Sequence, residues 1–175
     1  MNLKEIKTGG KTLYDGKILR LELDDVQLPD GSFSKREIVR HSGGAAVLLV
    51  AESKVLLVKQ FRYAYGEEIY EIPAGKLNKG EDPKLAAARE LEEETGYSAT
   101  LEKLLEIYPT PGYTDEKIHI YLAKNPVFKG QKLDDGEFLS VEFVPLKEVL
   151  KMINSGGIKD SKTVAAVLKY SIDKK

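Results

Sequence analysis

Gly75 to Tyr97 reads GKLNKGEDPKLAAARELEEETGY, and it gathers carboxylates where ordinary helix design would not put them. Asp82 followed by Pro83 is a good helix start. An N-cap aspartate accepts hydrogen bonds from free backbone N–H groups, and the proline ring is tolerated at the first helical position. Gly96 is a good stop, because a residue without Cβ readily takes the left-handed conformation that closes a helix. These signals predict a helix from Pro83 to Thr95. At 100° per residue, Glu90, Glu93 and Glu94 fall on one face with the small Ala86 and Ala87 beside them. Leu85, Ala88 and Leu91 point the other way, toward a core. Glu92 falls near that apolar side, and periodicity alone gives no account of it.

Like charges at i and i+4 destabilise a helix by about 0.2 to 0.5 kcal/mol a pair, and these sit at the end where the helix dipole favours cations. Local rules broken together are expected at a functional site. A hard divalent cation that takes oxygen ligands, Mg²⁺ or Mn²⁺, would compensate them. A solvated acidic face is the plain alternative. The wider pattern favours the first: Gly75, five residues, Glu81, seven residues, then Arg89-Glu90-Leu91-Glu92-Glu93-Glu94-Thr95-Gly96-Tyr97. It resembles the Nudix box at every fixed position, with Tyr97 where an aliphatic residue is more usual.

That resemblance implies a loop, helix and loop that bind divalent metal and cleave a nucleoside diphosphate linked to another group. It makes Glu90, Glu93 and Glu94, with Ala74, the expected metal site. Glu94 and Arg89 join the catalytic set, and Ala74 and Gly75 the substrate-binding one. The chemistry suits these residues, since pyrophosphate repels nucleophiles and its hydrolysis needs cations and an activated water. Arg89 is expected to pair with the neighbouring glutamates and with Glu81, fixing their rotamers.

The chain has 175 residues, 42% of them hydrophobic, which suits one domain with a modest appendage. A net charge of −1 provides no basic field for nucleic acid, so none is expected as a partner. No run approaches the ~20 apolar residues that span a bilayer, and MNLKEIKTGG lacks the apolar core of a signal peptide. A membrane partner is therefore not expected, and the cytoplasm is the expected location. With no cysteine, disulfides and thiolate sites are excluded.

Lys17 to Leu28 and Phe33 to Arg40 read as two strands around the turn Pro29-Asp30-Gly31, a hairpin that needs a surface to pack on. A composition change at Ser42-Gly43-Gly44 divides the chain into an N-terminal β region, 1–42, and a main domain, 43–175. In the latter, strands are expected at Ala45 to Ala51, Lys54 to Lys59 running on to Tyr63, Ile69 to Ile72, Ala99 to Tyr108, Ile118 to Ala123 and Glu137 to Val144. Helices are expected over Lys147 to Asn154 and Ser161 to Ile172, burying Leu150 and Ile153, then Val164, Val167 and Leu168. The order implies an α/β domain, and it resembles the Nudix fold: a mixed sheet between helices, an α/β/α sandwich, with a small N-terminal antiparallel β piece.

Lys35 to Val39, Gln60-Phe61-Arg62 and Pro111 to Glu116 resemble the ADP-ribose pyrophosphatase branch of that family. The resemblance implies Mg²⁺-dependent hydrolysis of ADP-ribose to AMP and ribose 5-phosphate, with another sugar nucleotide such as GDP-mannose, or a non-catalytic ADP-ribose sensor, as alternatives. Arg36 and Arg62 are candidates for gripping phosphate or the terminal ribose, because a planar fork donates two hydrogen bonds to an oxyanion. It further implies a homodimer in which the N-terminal region helps complete the partner's site. Metal-bound carboxylates accept protons poorly, so the base is sought elsewhere, in the loop before the last strand: Glu137, with Asp135 as the alternative. His41 and His119 have no ligand-like spacing and read as structural.

Overall fold

A computed structural model describes residues 2–133 and 135–174, and the chain forms two compact units. One runs to Gly43 and takes in Tyr108–Lys117; the other holds Gly44–Ile107 and the chain from Ile118 onward.

The first unit is an antiparallel sheet in the order β1 (Ile6–Asp15), β2 (Leu19–Gln27), β3 (Phe33–His41). β2 and β3 pair without interruption from Leu19↔His41 to Gln27↔Phe33. Gly31, at φ +88°, closes their turn by donating to Leu28 O at 3.0 Å. β1 extends the expected hairpin to three strands. Its sequence, IKTGGKTLYD, carries two glycines and little alternation, so its extended form comes from pairing with β2 rather than from its own pattern. At Gly10, φ +142°, a Cβ would sit 2.7 Å from Leu23 O, so the two backbones approach there as only glycine allows. The 108–117 segment joins this unit through Val39, whose N–H donates to Tyr113 O and whose carbonyl accepts from Asp115 N.

The second unit is built on β4 (Gly44–Ala51), whose continuous apolar run reflects burial on both faces. β4 runs parallel to β9 (Ile118–Phe128), is antiparallel to β7 (Ala74–Lys76) at its start, and meets β5 (Lys54–Arg62) at its end. The sheet continues as β10 (Leu139–Pro145) beyond β5 and β8 (Tyr97–Ile107) beyond β9, with β6 (Glu67–Glu71) also on β5. Alternate residues face opposite layers. Ala46, Leu48, Val55 and Leu57 pack with Val149 and with Ala166 and Val167, under α2 (Leu146–Asn154) and α3 (Ser161–Asp173). Ala45, Val47, Leu49 and Leu56 pack with Ala86, Ala87 and Leu91 of α1 (Pro83–Thr95). This is the expected mixed sheet between helices.

Three expectations differ from the structure. Leu85 is 67% exposed, and α1 seats itself through Ala86, Ala87, Leu91, Glu94 and Thr95. The small alanines let the helix approach the sheet closely, which turns part of the acidic face inward. Leu168 is exposed, and α3 buries Thr163, Ala166, Val167 and Tyr170 instead. Glu137 lies before the last strand, which starts at Leu139. β7, unmarked by any apolar pattern, is only three residues long and exists by pairing with β4.

Candidate active site

α1 begins and ends as its local chemistry dictates. Asp82 caps it, accepting from Lys84 N at 2.8 Å and Leu85 N at 3.2 Å, and Pro83 follows. Gly96 sits at φ +76° and donates to Glu92 O at 2.9 Å. A Cβ there would lie 2.6 Å from Gln131 N, so crowding as well as φ demands glycine. Chain after β9 then folds over the helix end. Lys129 N donates to Gly96 O, Lys132 N to Glu93 O, and the Gln131 amide to Glu94 O at 2.6 Å. These donors satisfy carbonyls that a helix end leaves free.

Arg89 is the hub of the acidic face. Its Nε donates to Glu81 Oε1 at 3.2 Å, and its Nη1 reaches Glu90 Oε1 at 2.7 Å and Glu93 Oε2 at 2.9 Å. Burial works against the Arg89 charge, but the three carboxylates outweigh it and hold the guanidinium firmly protonated. Glu81 also accepts from Asn78 N at 2.8 Å, so the loop before the helix is tied to the same arginine. Gly75 borders this cluster, and any side chain at 75 would collide with the Glu90 carboxylate.

Glu94 is the most deeply placed of the α1 glutamates, 4% exposed, with Oε2 accepting from Ala74 N at 3.0 Å. Burial pushes its carboxyl up to about 8; the Ala74 N–H opposes this, while the charges of Glu90, Glu137 and Glu71 add to it. Burial likewise raises Glu90, with Arg89 opposing and Glu93 and Glu137 adding. Glu137 is thus the loop carboxylate whose charge is felt at both Glu90 and Glu94. Its neighbour Asp135 is exposed, and Asp134 lies outside the described residues.

The two candidate arginines stand in different units. Arg62, on β5, is clamped by Glu71 of β6 at 2.5 and 2.8 Å, and Glu94 contributes to keeping it charged. Arg36, on β3, pairs with Glu5 at 2.6 and 3.0 Å. Behind Arg62 stand groups that sequence reasoning passes over. Lys162 donates to Glu71 and, at 2.9 Å, to Asp160, the N-cap of α3. Their one signal is a charged residue at an inward position, Glu71 beside buried Ile72 and Lys162 beside buried Thr163.

Among the described residues no three His, Asp or Glu side chains form a ready metal cage, because Glu90 and Glu93 are drawn onto Arg89. The donor set nevertheless fits a hard divalent cation. It is all oxygen, and it contains a buried carboxylate with one hydrogen bond, crowded by like charges and pushed up to about 8. No helix among the described residues is long and apolar enough to cross a membrane.

Residues 39–166 match the NUDIX domain, and residues 7–39 match the nucleoside diphosphate sugar hydrolase N-terminal domain. The chain is 45% identical to the ADP-ribose pyrophosphatase of Bacillus subtilis (strain 168), covering 95% of this chain and 92% of that one. It is 47% identical to the methanol dehydrogenase activator of Bacillus methanolicus, over 94% of this chain and 90% of that one. A solved structure described as an ADP compounds hydrolase aligns with a TM-score of 0.85 over 98% of this chain and 95% of the other. At 20% identity that likeness speaks to the fold.

Proposed function

The chain belongs to the Nudix hydrolase family, and on that premise we propose that it cleaves the pyrophosphate of ADP-ribose with water, releasing AMP and ribose 5-phosphate. The observation that carries this reading is the inward-facing acidic cluster of α1, in which Arg89 serves Glu81, Glu90 and Glu93 while Glu94 stays buried beside Glu137's field. When bound, a divalent cation, Mg²⁺ in our reading with Mn²⁺ as a substitute, would neutralise pyrophosphate charge and ease deprotonation of water. Glu90, Glu93 and Glu94, with Ala74 beside them, are the residues to hold it.

The chain's own groups do the rest. Arg89 keeps the carboxylate rotamers of Glu81, Glu90 and Glu93 ordered. Arg62 presents its free N–H groups to a phosphate oxygen, and the backbone at Ala74 and Gly75 borders the substrate, with the glycine leaving room for the Glu90 carboxylate against it. Glu137 takes the proton of the attacking water, being the loop carboxylate that lies in the field of the cluster without being bonded to Arg89.

The first unit leaves Ile6, Leu13, Tyr14 and Phe33 exposed, which supports a homodimer that covers them, with Arg36 offered to the partner's substrate. Light scattering tests this, and mixing Arg36→Ala with Glu94→Gln protomers tests shared sites. The cytoplasm is the proposed location.

Incubation with Mg²⁺ and ADP-ribose, NADH, diadenosine polyphosphates, GDP-mannose or UDP-glucose, with identification of products, decides the substrate. Fastest turnover of ADP-ribose to AMP supports the reading. Faster release of GMP from GDP-mannose overturns the substrate, and no turnover of any of them leaves a sensor. The 47% identical relative carries a second reading, activation of a dehydrogenase, which a methanol dehydrogenase assay with and without the protein tests.

A further inference from the structure

Few charged side chains are deeply buried among the described residues, and two of them, Glu71 at 2% and Lys162 at 7% exposure, touch each other. Neither belongs to the acidic helix. They sit in a chain of alternating charge: Asp160, Lys162, Glu71, Arg62. Asp160 is fixed because it caps α3, accepting from Thr163 N at 3.0 Å and from Thr163 Oγ1. Thr163 Oγ1 in turn accepts from Ile72 N at 2.8 Å, tying the α3 cap to the chain beside Glu71. Only the last member, Arg62, has a substantially open side chain, 40% exposed.

The Arg62 fork faces Glu71 through Nε and Nη2, which leaves both Nη1 hydrogens and one on Nη2 for another acceptor. A bidentate clamp removes most of the rotamer freedom of an arginine. Buried ion pairs contribute little net stability compared with apolar residues of similar volume, so four linked charges are a costly way to join β5, β6 and α3. They are, however, an effective way to aim one guanidinium.

We propose that Glu71, Lys162 and Asp160 form a positioning relay that holds Arg62 ready for a pyrophosphate oxygen of the substrate. It rests on the reading of Arg62 as a substrate-binding group. Glu71 orients the fork. Lys162 fixes Glu71 and offsets its charge, so that Arg62 keeps a positive field toward the substrate. Asp160 anchors Lys162 to the end of α3.

The test uses Arg62→Ala, Lys162→Met and the volume-conserving double variant Glu71→Leu/Lys162→Met, which removes both buried charges together and so protects the fold. Kinetics with ADP-ribose should give a KM about tenfold or more above the parent's for Arg62→Ala, with kcat within about threefold, as for a group that binds ground and transition states alike. The double variant should reproduce most of that rise with an unchanged melting temperature, and adding Arg62→Ala to it should cost no more. A lowered melting temperature with the parent's KM would mean a structural network and overturn the relay. Unchanged KM in Arg62→Ala itself would remove the reading of Arg62, and the relay with it. An arm free of substrate is the NMR signal of Arg62 Nε–H, which its hydrogen bond to Glu71 should protect from exchange in the parent. Loss of that protection in Lys162→Met supports the relay even if ADP-ribose is not the substrate, and full protection there overturns it.

Discussion

Two groups of buried charge lie in the second unit, and they are assembled on opposite principles. In the Arg62–Glu71–Lys162–Asp160 chain, every anion has its cation. Burial pushes Glu71 up, but Arg62 and Lys162 outweigh it and its carboxyl is held below the ordinary value. At α1 and the loop before it, one arginine serves three carboxylates, and Glu94 accepts from a backbone N–H with no ion-pair partner among the described residues, so burial carries it up to about 8. The first group is complete within the protein. The second is short of positive charge, and that shortage is what a metal-dependent hydrolase of pyrophosphate must supply in its resting site.

The contrast is most exposed to test at Glu93 and Glu94. Glu93→Gln or Glu94→Gln should abolish measurable turnover, and Glu94→Gln should leave the metal-free fold as stable as the parent or more so, because it removes a buried carboxyl whose ionisation the folded state opposes. Thermal melts with and without Mg²⁺ check both parts; retained activity with full metal-linked stabilisation would remove the metal site. Next in size, Glu137→Gln should lower kcat by about 10² to 10⁴ with little change in KM, since proton transfer and not binding is lost. Asp135→Asn run in parallel separates the two loop acids: if it alone loses kcat, the base is Asp135.

A smaller effect distinguishes the two groups by pH. Glu94 has a folded pKa above its unfolded value, so its contribution to stability is fully present below about 4.5 and is lost as pH rises through about 8. Glu71 has a folded pKa below 4.5, so its contribution is present above that and is lost as pH falls through the lower value. In chelator, stability of the parent should therefore decline from mildly acidic toward pH 8, and Glu94→Gln should flatten that decline. Glu71→Gln should leave the decline in place and remove part of the loss on the acid side. Denaturant unfolding across this range measures both.

The same difference decides which features are legible in the amino-acid sequence. The α1 ends are legible because Asp82, Pro83 and Gly96 act on backbone within one turn. The acidic site is legible because its groups lie within a few helical turns and a short loop. Leu85 escapes the pattern because periodicity identifies a face but does not say that small Ala86 and Ala87 will seat the helix. β1 leaves no mark because its strand is supplied by a neighbour and not by its own residues. The relay is hidden for the same reason on a longer scale: Glu71 and Lys162 are 91 residues apart, and a lysine near a helix start gives no sign of its partner.

The most direct measurement is calorimetric titration of metal-free protein with Mn²⁺ at pH 7 in buffers of different ionisation enthalpy, which counts protons released on binding. A carboxyl near 8 is mostly protonated at pH 7, and a cation that takes it as ligand must displace that proton. The expected result is binding with release of close to one proton in the parent, and weaker binding without that release in Glu94→Gln. Equal affinity and equal proton release in the two proteins, or no binding in either, would contradict the claim that buried Glu94 and the glutamates beside it on α1 await a cation.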